Sequence, residues 1–185
     1  MPPIPLPDPE LADDTIRLRP PAPEDVDAIT EACQDPDIQH FTFVPSPYRT
    51  VHAREWIAAA PARRAAGEDL GLVIADARTG ALLGTVGLQH PDWQHRTGAI
   101  GYWVAPWARG HGAAGRASAL LGRWAIRALG LRRVTIDADE ANAASRRAAE
   151  RAGFVLEGVL RSAIEVKGRR WSLATYSLIA EDLGA

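Results

Sequence analysis

Between Tyr102 and Arg116 an apolar strand runs through a turn of small residues directly into a helix. The first N–H groups of any helix lack partners within it, and the aligned peptide dipoles add positive charge there. Small side chains at Gly110, Gly112, Ala113, Ala114 and Gly115 let an anion approach the bare backbone. The stretch suits a phosphate, and a pyrophosphate naturally occupies such a site. The bland alternative is a tight connection and nothing more. Two other nucleotide motifs fit worse. No Gly-Lys-Ser/Thr is present, as a P-loop needs. A dinucleotide fingerprint belongs after the first strand of a βαβ unit, whereas this turn follows the fourth strand.

Around that turn, apolar alternation and helical spacing predict the remaining elements. A strand spans Thr15–Arg19 and stops at Pro20 and Pro21. Val26, Ile29 and Cys33 recur at helical spacing behind Pro23 and Glu24. A loop spans Asp35–Arg49. A helix opens at Thr50, with Ala53, Trp56, Ile57 and Ala60 on one face, and Pro61 weakens or ends it. Strands Leu70–Asp76 and Leu82–Gln89 flank a turn at Arg78–Gly80, His90–Thr97 connects onward, and Ala99–Val104 is the fourth strand. The long helix covers Ala113–Leu129, with Ala117, Leu120, Leu121, Trp124 and Ala128 inward and Gly130 as its cap. Arg133–Ala138, a helix over Asn142–Ala152, and strands Phe154–Leu160 and Leu173–Ile179 complete the order β-α-α-β-β-β-α-β-α-β-β. This is one domain over residues 15–181, preceded by a Pro-rich tail over 1–14.

Two blocks carry a family resemblance. Arg109-x-x-Gly112-x-Ala114, behind Ile100-Gly101-Tyr102-Trp103-Val104, resembles the acyl-CoA pyrophosphate motif of the GNAT N-acetyltransferases, in their RimJ/RimL-like branch. Asn142-x-x-Ser145, followed by Glu150-Arg151-Ala152-Gly153-Phe154 and Glu157-Gly158, resembles that branch's next helix and strand. The likeness covers about residues 15 to 180. It implies an α+β fold: a mostly antiparallel mixed sheet, splayed between its fourth and fifth strands and flanked by helices. It implies acetyl-CoA in that splay. The backbone of Arg109 to Arg116 would hold the pyrophosphate, and Val104 would pair with the pantetheine arm and polarise the thioester. It also implies an amine acceptor and, as in many relatives, a homodimer.

The resemblance also names candidates for the proton chemistry. Ser145 would protonate the departing sulfur; read from its position alone, it is a helix-start residue. Asn142 would position the arm or cap the helix. The tyrosine acid of many relatives corresponds to Ala149, and their glutamate base to Ala99. A base must come from elsewhere, with His90, Asp92, His95 and Glu165 as candidates. Arg109, Arg116 and Arg146 could fork onto phosphate oxygens. Phe41, Phe43, Tyr48 and Trp93, with His40 and Trp56, would wall the acceptor site; the alternative is ordinary core packing. A lysine amine is neutral only about once in 2,500 at pH 7, and an α-amine about a tenth of the time. A site short of a base therefore favours a peptide α-amine or another weakly basic amine. Transfer of a longer acyl group such as succinyl, and an acyl-CoA-binding module without catalysis, are the competing readings.

Composition removes other classes. A net charge of −2 over 185 residues gives no nucleic-acid surface. The single cysteine, Cys33, rules out an internal disulfide and reads as a buried inert thiol. No Cys/His cluster has zinc spacing, and no apolar run is long enough to span a membrane. The start lacks a signal-peptide pattern, so a cytoplasmic location is expected by default.

Overall fold

The computed structural model describes residues 1–184. One sheet holds β1 (Leu11–Ala12), β2 (Ile16–Arg19), β3 (Asp69–Asp76), β4 (Leu82–Asp92), β5 (Thr97–Val104), β6 (Arg133–Asp139), β7 (Val155–Val166) and β8 (Arg169–Ile179). Their spatial order is β1-β2-β3-β4-β5-β6-β8-β7. Neighbours are antiparallel except β5 and β6, which run parallel. The helices are α1 (Val26–Ala32), α2 (Pro36–Phe41), α3 (Thr50–Ala66), α4 (Ala113–Arg127) and α5 (Ala143–Arg151).

Strand alternation divides the core into two layers. Leu72, Val86, Ile100, Ile136 and Tyr176 pack in one cluster with residues of α4 and α5. Val73, Ala75 and Leu82 pack with residues of α1, α2 and α3 on the other side. The mixed architecture is therefore the expected one. The short β1 shifts the count, so the expected fourth and fifth strands are β5 and β6.

The splay is visible in the pairing. Thr97, Gly98 and Ala99 pair with Arg133, Val134 and Thr135, and the ladder then stops. From Ile100 to Val104, β5 stays paired with β4 alone. β6 continues to Asp139 paired with β8 alone. Two strands that share one end and part at the other leave a V between them, with an unpaired backbone edge on each wall.

Several elements differ from expectation. The tail is tied down: Ile4 is fully buried, its N–H donates to the Arg64 carbonyl, and Arg64 donates back to the Ile4 carbonyl. The expected loop after α1 contains α2, which Asp35 caps by accepting from the Ile38 N–H at 3.0 Å, with Pro36 at the first position. Pro61 does not end α3, which runs on to Gly67, a left-handed terminus with φ 75°. Packing of Ala53 and Trp56 on the sheet and of Arg64 on Ile4 outweighs one missing hydrogen bond. The β7–β8 hairpin is longer than expected and turns at Lys167-Gly168, φ 50° and 74°.

The buried face of α4 is rotated toward Gly115, Ser118, Gly122 and Ala125, leaving Leu120 and Trp124 half-buried. Close approach explains this. A Cβ at Gly122 would sit 3.1 Å from the Phe154 ring, and one at Gly115 would sit 3.1 Å from the Ala148 carbonyl oxygen.

Candidate active site

The turn between β5 and α4 lies at the open end of the V. Gly110 and Gly112 have φ of 85° and 78°, a region that favours glycine. Gly112 is the residue before α4, and the first helix-type bond is donated by the Arg116 N–H to its carbonyl. Among the described residues, the N–H groups of Gly110, His111, Gly112, Ala113, Ala114 and Gly115 donate to no protein acceptor. A Cβ built on Gly110 or Gly112 meets nothing within 4 Å, so both face open space. The turn is a run of unpaired donors at a helix start, with room for an anion. Gly115 does a different job: it lets α4 approach α5.

The arginines expected to fork onto phosphate are partly occupied. Arg109 donates to Asp35 at 2.5 Å and to Asp37 at 3.3 Å, which ties the turn to α2. Burial of Asp35 opposes its charge, yet the bonds from Arg109 and the Ile38 N–H hold its carboxyl below the usual range. Arg116 donates to Asp13 at 2.9 Å and Asp14 at 3.4 Å, tying α4 to the segment between β1 and β2. Arg146 donates through Nε to the Tyr176 hydroxyl at 3.2 Å, and Tyr176 donates to Glu150.

Across the V stands α5. Asn142 caps it, its Oδ1 accepting from the Ser145 N–H at 3.0 Å. Tyr102 reaches over from β5: its hydroxyl donates to the Ser145 carbonyl at 3.1 Å and lies 2.9 Å from Ser145 Oγ. Burial pushes the Tyr102 phenol up from its ordinary value, partly countered by the bond to Ser145. It is therefore protonated at neutral pH and can hold the serine hydroxyl in place. Tyr102 was missed as a site residue. Its only sequence signal is its position in the block before the turn. Ala149 is fully buried in the core cluster that α5 shares with the sheet.

The expected acceptor wall comes together only in part. Phe41 ends α2, edge-on to His40 with ring centroids 4.5 Å apart. Phe43 is 72% exposed and lies 6.0 Å from the Trp171 ring, so it is no core residue. Tyr48 is a correction. It is buried beside Cys33, where burial pushes its phenol up, and packs in the core cluster of α1, α2 and α3. Trp93 is another. It sits in the β4–β5 turn, donating to the Gly67 carbonyl at 3.3 Å. That turn is at the closed end of the V. Thr97, where β5 begins, is five residues from Tyr102, roughly 17 Å along a strand. The same distance removes Asp92, which pairs with Thr97, and His95 as bases; the two pair with each other at 2.8 Å. Glu165 pairs with Arg170 near the hairpin tip, on the face opposite Trp171.

A model of the acetyltransferase (GNAT) domain matches residues 15–155. The chain belongs to the GNAT acetyltransferase family. YdaF of Bacillus subtilis strain 168, named as a candidate ribosomal N-acetyltransferase, is 37% identical over 103 residues, 56% of this chain and 56% of that protein. This GNAT chain thus aligns with about half the length of that relative. A GCN5-related N-acetyltransferase from Brucella melitensis superposes with a TM-score of 0.79 at 26% identity, over all of this chain and 85% of that one. RimL, a ribosomal L7/L12 alpha-N-protein acetyltransferase solved with coenzyme A, superposes with a TM-score of 0.83 over 94% of this chain and 99% of that one. At 20% identity it speaks for the fold alone. Among the described residues no helix is long and apolar enough to cross a membrane.

Proposed function

We propose that this GNAT domain transfers the acetyl group of acetyl-CoA to a primary amine, a peptide or protein α-amine or a small molecule, by direct attack in a ternary complex. One observation carries the reading: six consecutive unpaired backbone N–H groups stand at the open end of a V whose walls are unpaired strand edges. The residues fit coenzyme A. Gly110 to Gly115 would receive its pyrophosphate; Arg109 and Arg116 flank them but are paired with Asp35, Asp37, Asp13 and Asp14, so the backbone N–H groups would carry the binding. The β5 edge from Ile100 to Val104 would pair with the amide-bearing arm. When bound, acetyl-CoA supplies an activated acyl group.

The chain's residues would then do the following. A backbone N–H near Val104 stabilises the charge that develops on the carbonyl oxygen. Asn142 fixes the start of α5 and so the position of Ser145. Ser145 donates a proton to the sulfur as it leaves, its Oγ accepting from the Tyr102 hydroxyl once that proton turns from the Ser145 carbonyl. Phe41 and Phe43 would wall the acceptor. A cytoplasmic setting suits a user of acyl-CoA. A homodimer through β7 is part of the proposal: β7 is the outer strand and exposes Val155, Leu156, Val159 and Leu160.

A second reading, an acyl-CoA-binding module without catalysis, is favoured by Ala99, which puts no carboxylate where the V begins. Mass spectrometry of products from a panel of α-amine peptides and small amines with acetyl-CoA separates the two. Acetylated product supports transfer. Tight coenzyme A binding without product on any amine would support the module.

A further inference from the structure

We propose that Asp137 is the group that receives the amine's proton, on the opposite side of the sheet from Ser145; this rests on the acetyltransferase reading above. The last paired residue of β6 at the closed end of the V is Thr135, opposite Ala99. Asp137 is two residues further along, roughly 7 Å, where the strands have parted. Side chains alternate along β6. Val134 and Ile136 point into the core shared with α4 and α5, and Ala149 of α5 belongs to the same cluster. Thr135 and Asp137 point to the other face. Tyr102 packs against the α4–α5 cluster and holds Ser145 there. Acid and carboxylate thus flank the V from opposite faces, which keeps the donor to sulfur apart from the acceptor for nitrogen.

The surroundings of Asp137 leave it available. It is exposed, and among the described residues its carboxylate makes no hydrogen bond or ion pair. Its neighbour Asp139 is buried and occupied, accepting from the Ala141 N–H at 3.0 Å. Arg133, four residues back on the same face, is committed to Glu157. Across β8, Asp137 faces Thr175, whose buried Oγ1 has no partner. Across the V, the parallel register would bring Gly101 opposite. Gly101 has no side chain, and the Gln89 carboxamide lies over it, 2.8 Å from where a Cβ would be. An approaching amine therefore meets one free carboxylate and one carboxamide, with no bulky side chain from Ala99 or Gly101 between them.

The step balances. From the neutral amine, the nitrogen lone pair forms the C–N bond to the acyl carbon, and the C–S bond breaks. Asp137 takes the surplus proton from nitrogen, and Ser145 gives one to sulfur. Solvent removes the first proton and restores the second.

The test uses the full chain with acetyl-CoA and the best acceptor found in the amine panel. Asp137→Asn should lower kcat by about 100-fold or more, within the range of a general base. Its calorimetric affinity for coenzyme A should stay within about twofold of the parent, reporting an intact fold. Asp137→Glu should keep more activity than Asp137→Asn, and added formate should restore turnover to Asp137→Ala. Asp92→Asn, at the closed end, should match the parent. A parent that turns over while Asp137→Asn turns over equally fast overturns this assignment alone. So does a loss that neither Glu nor formate relieves, which would make the residue structural. No turnover by the parent on any amine overturns both this inference and the function it rests on.

Discussion

Replacing Gly112 with leucine separates the anion-site reading from a merely structural one. Its φ of 78° strains any larger residue, by roughly 1–2 kcal/mol. No protein atom lies within 4 Å of the built Cβ, so strain is the main cost to the fold. For a chain of 185 residues that corresponds to a melting point lower by about 2–8 °C. The cost to ligand binding is larger. The side chain would occupy the space in front of the unpaired N–H groups. Losing two charge-assisted hydrogen bonds, at about 1.5–3 kcal/mol each, amounts to roughly 3–6 kcal/mol, or about 10²- to 10⁴-fold in affinity. Gly130 provides the control, with φ 71°, nothing within 4 Å of its built Cβ, and a place beyond the far end of α4. Gly130→Leu should lose similar stability and keep its affinity. Calorimetry with coenzyme A and thermal melts of both variants make the comparison. A Gly112→Leu protein that binds coenzyme A within twofold of the parent would refute the reasoning.

Ser145→Ala should lower kcat about 10- to 100-fold without weakening coenzyme A, and Tyr102→Phe should lower it less, because the serine remains but loses its restraint. A parental rate for Ser145→Ala would leave the serine a helix-start residue only. Acid should weaken the link between β6 and β7. The bonds from Arg133, then Ser177, pull the Glu157 carboxyl down from 4.5 to about 2. A depressed carboxylate contributes stability above its unfolded pKa, and that contribution is lost as pH falls from about 4.5 toward 2. Denaturant titrations of the parent and Glu157→Gln at pH 7 and pH 3 check this: their difference should shrink at the lower pH. An equal difference at both would contradict it.

What could be read from the sequence was what the chain builds locally. The turn at Gly110 to Gly115 is continuous, and its chemistry is mostly backbone chemistry, so residue types announce it. The cap at Asn142 and the serine three residues later are equally local. Features that need tertiary pairing were not legible. Tyr102 and Ser145 are 43 positions apart and meet only once β5 and the start of α5 face each other in the fold. Trp93 and Asp92 read as near the site because the element order does not say which end of a strand opens. Asp137 stood unremarked in a strand whose exposed face becomes meaningful only once β5 leaves it at Ala99. The docking of the Pro-rich tail was not legible because burial of Ile4 depends on Arg64, 60 residues away. α2 was hidden by its six-residue length, too short for periodicity to show.

A crystal structure of the chain with coenzyme A tests the central claim most directly. The account predicts the diphosphate on the N–H groups of Gly110 to Gly115 and the pantetheine arm along β5 from Val104 toward Ile100, with its sulfur near Ser145. Coenzyme A bound elsewhere, with those amides facing water, would contradict it.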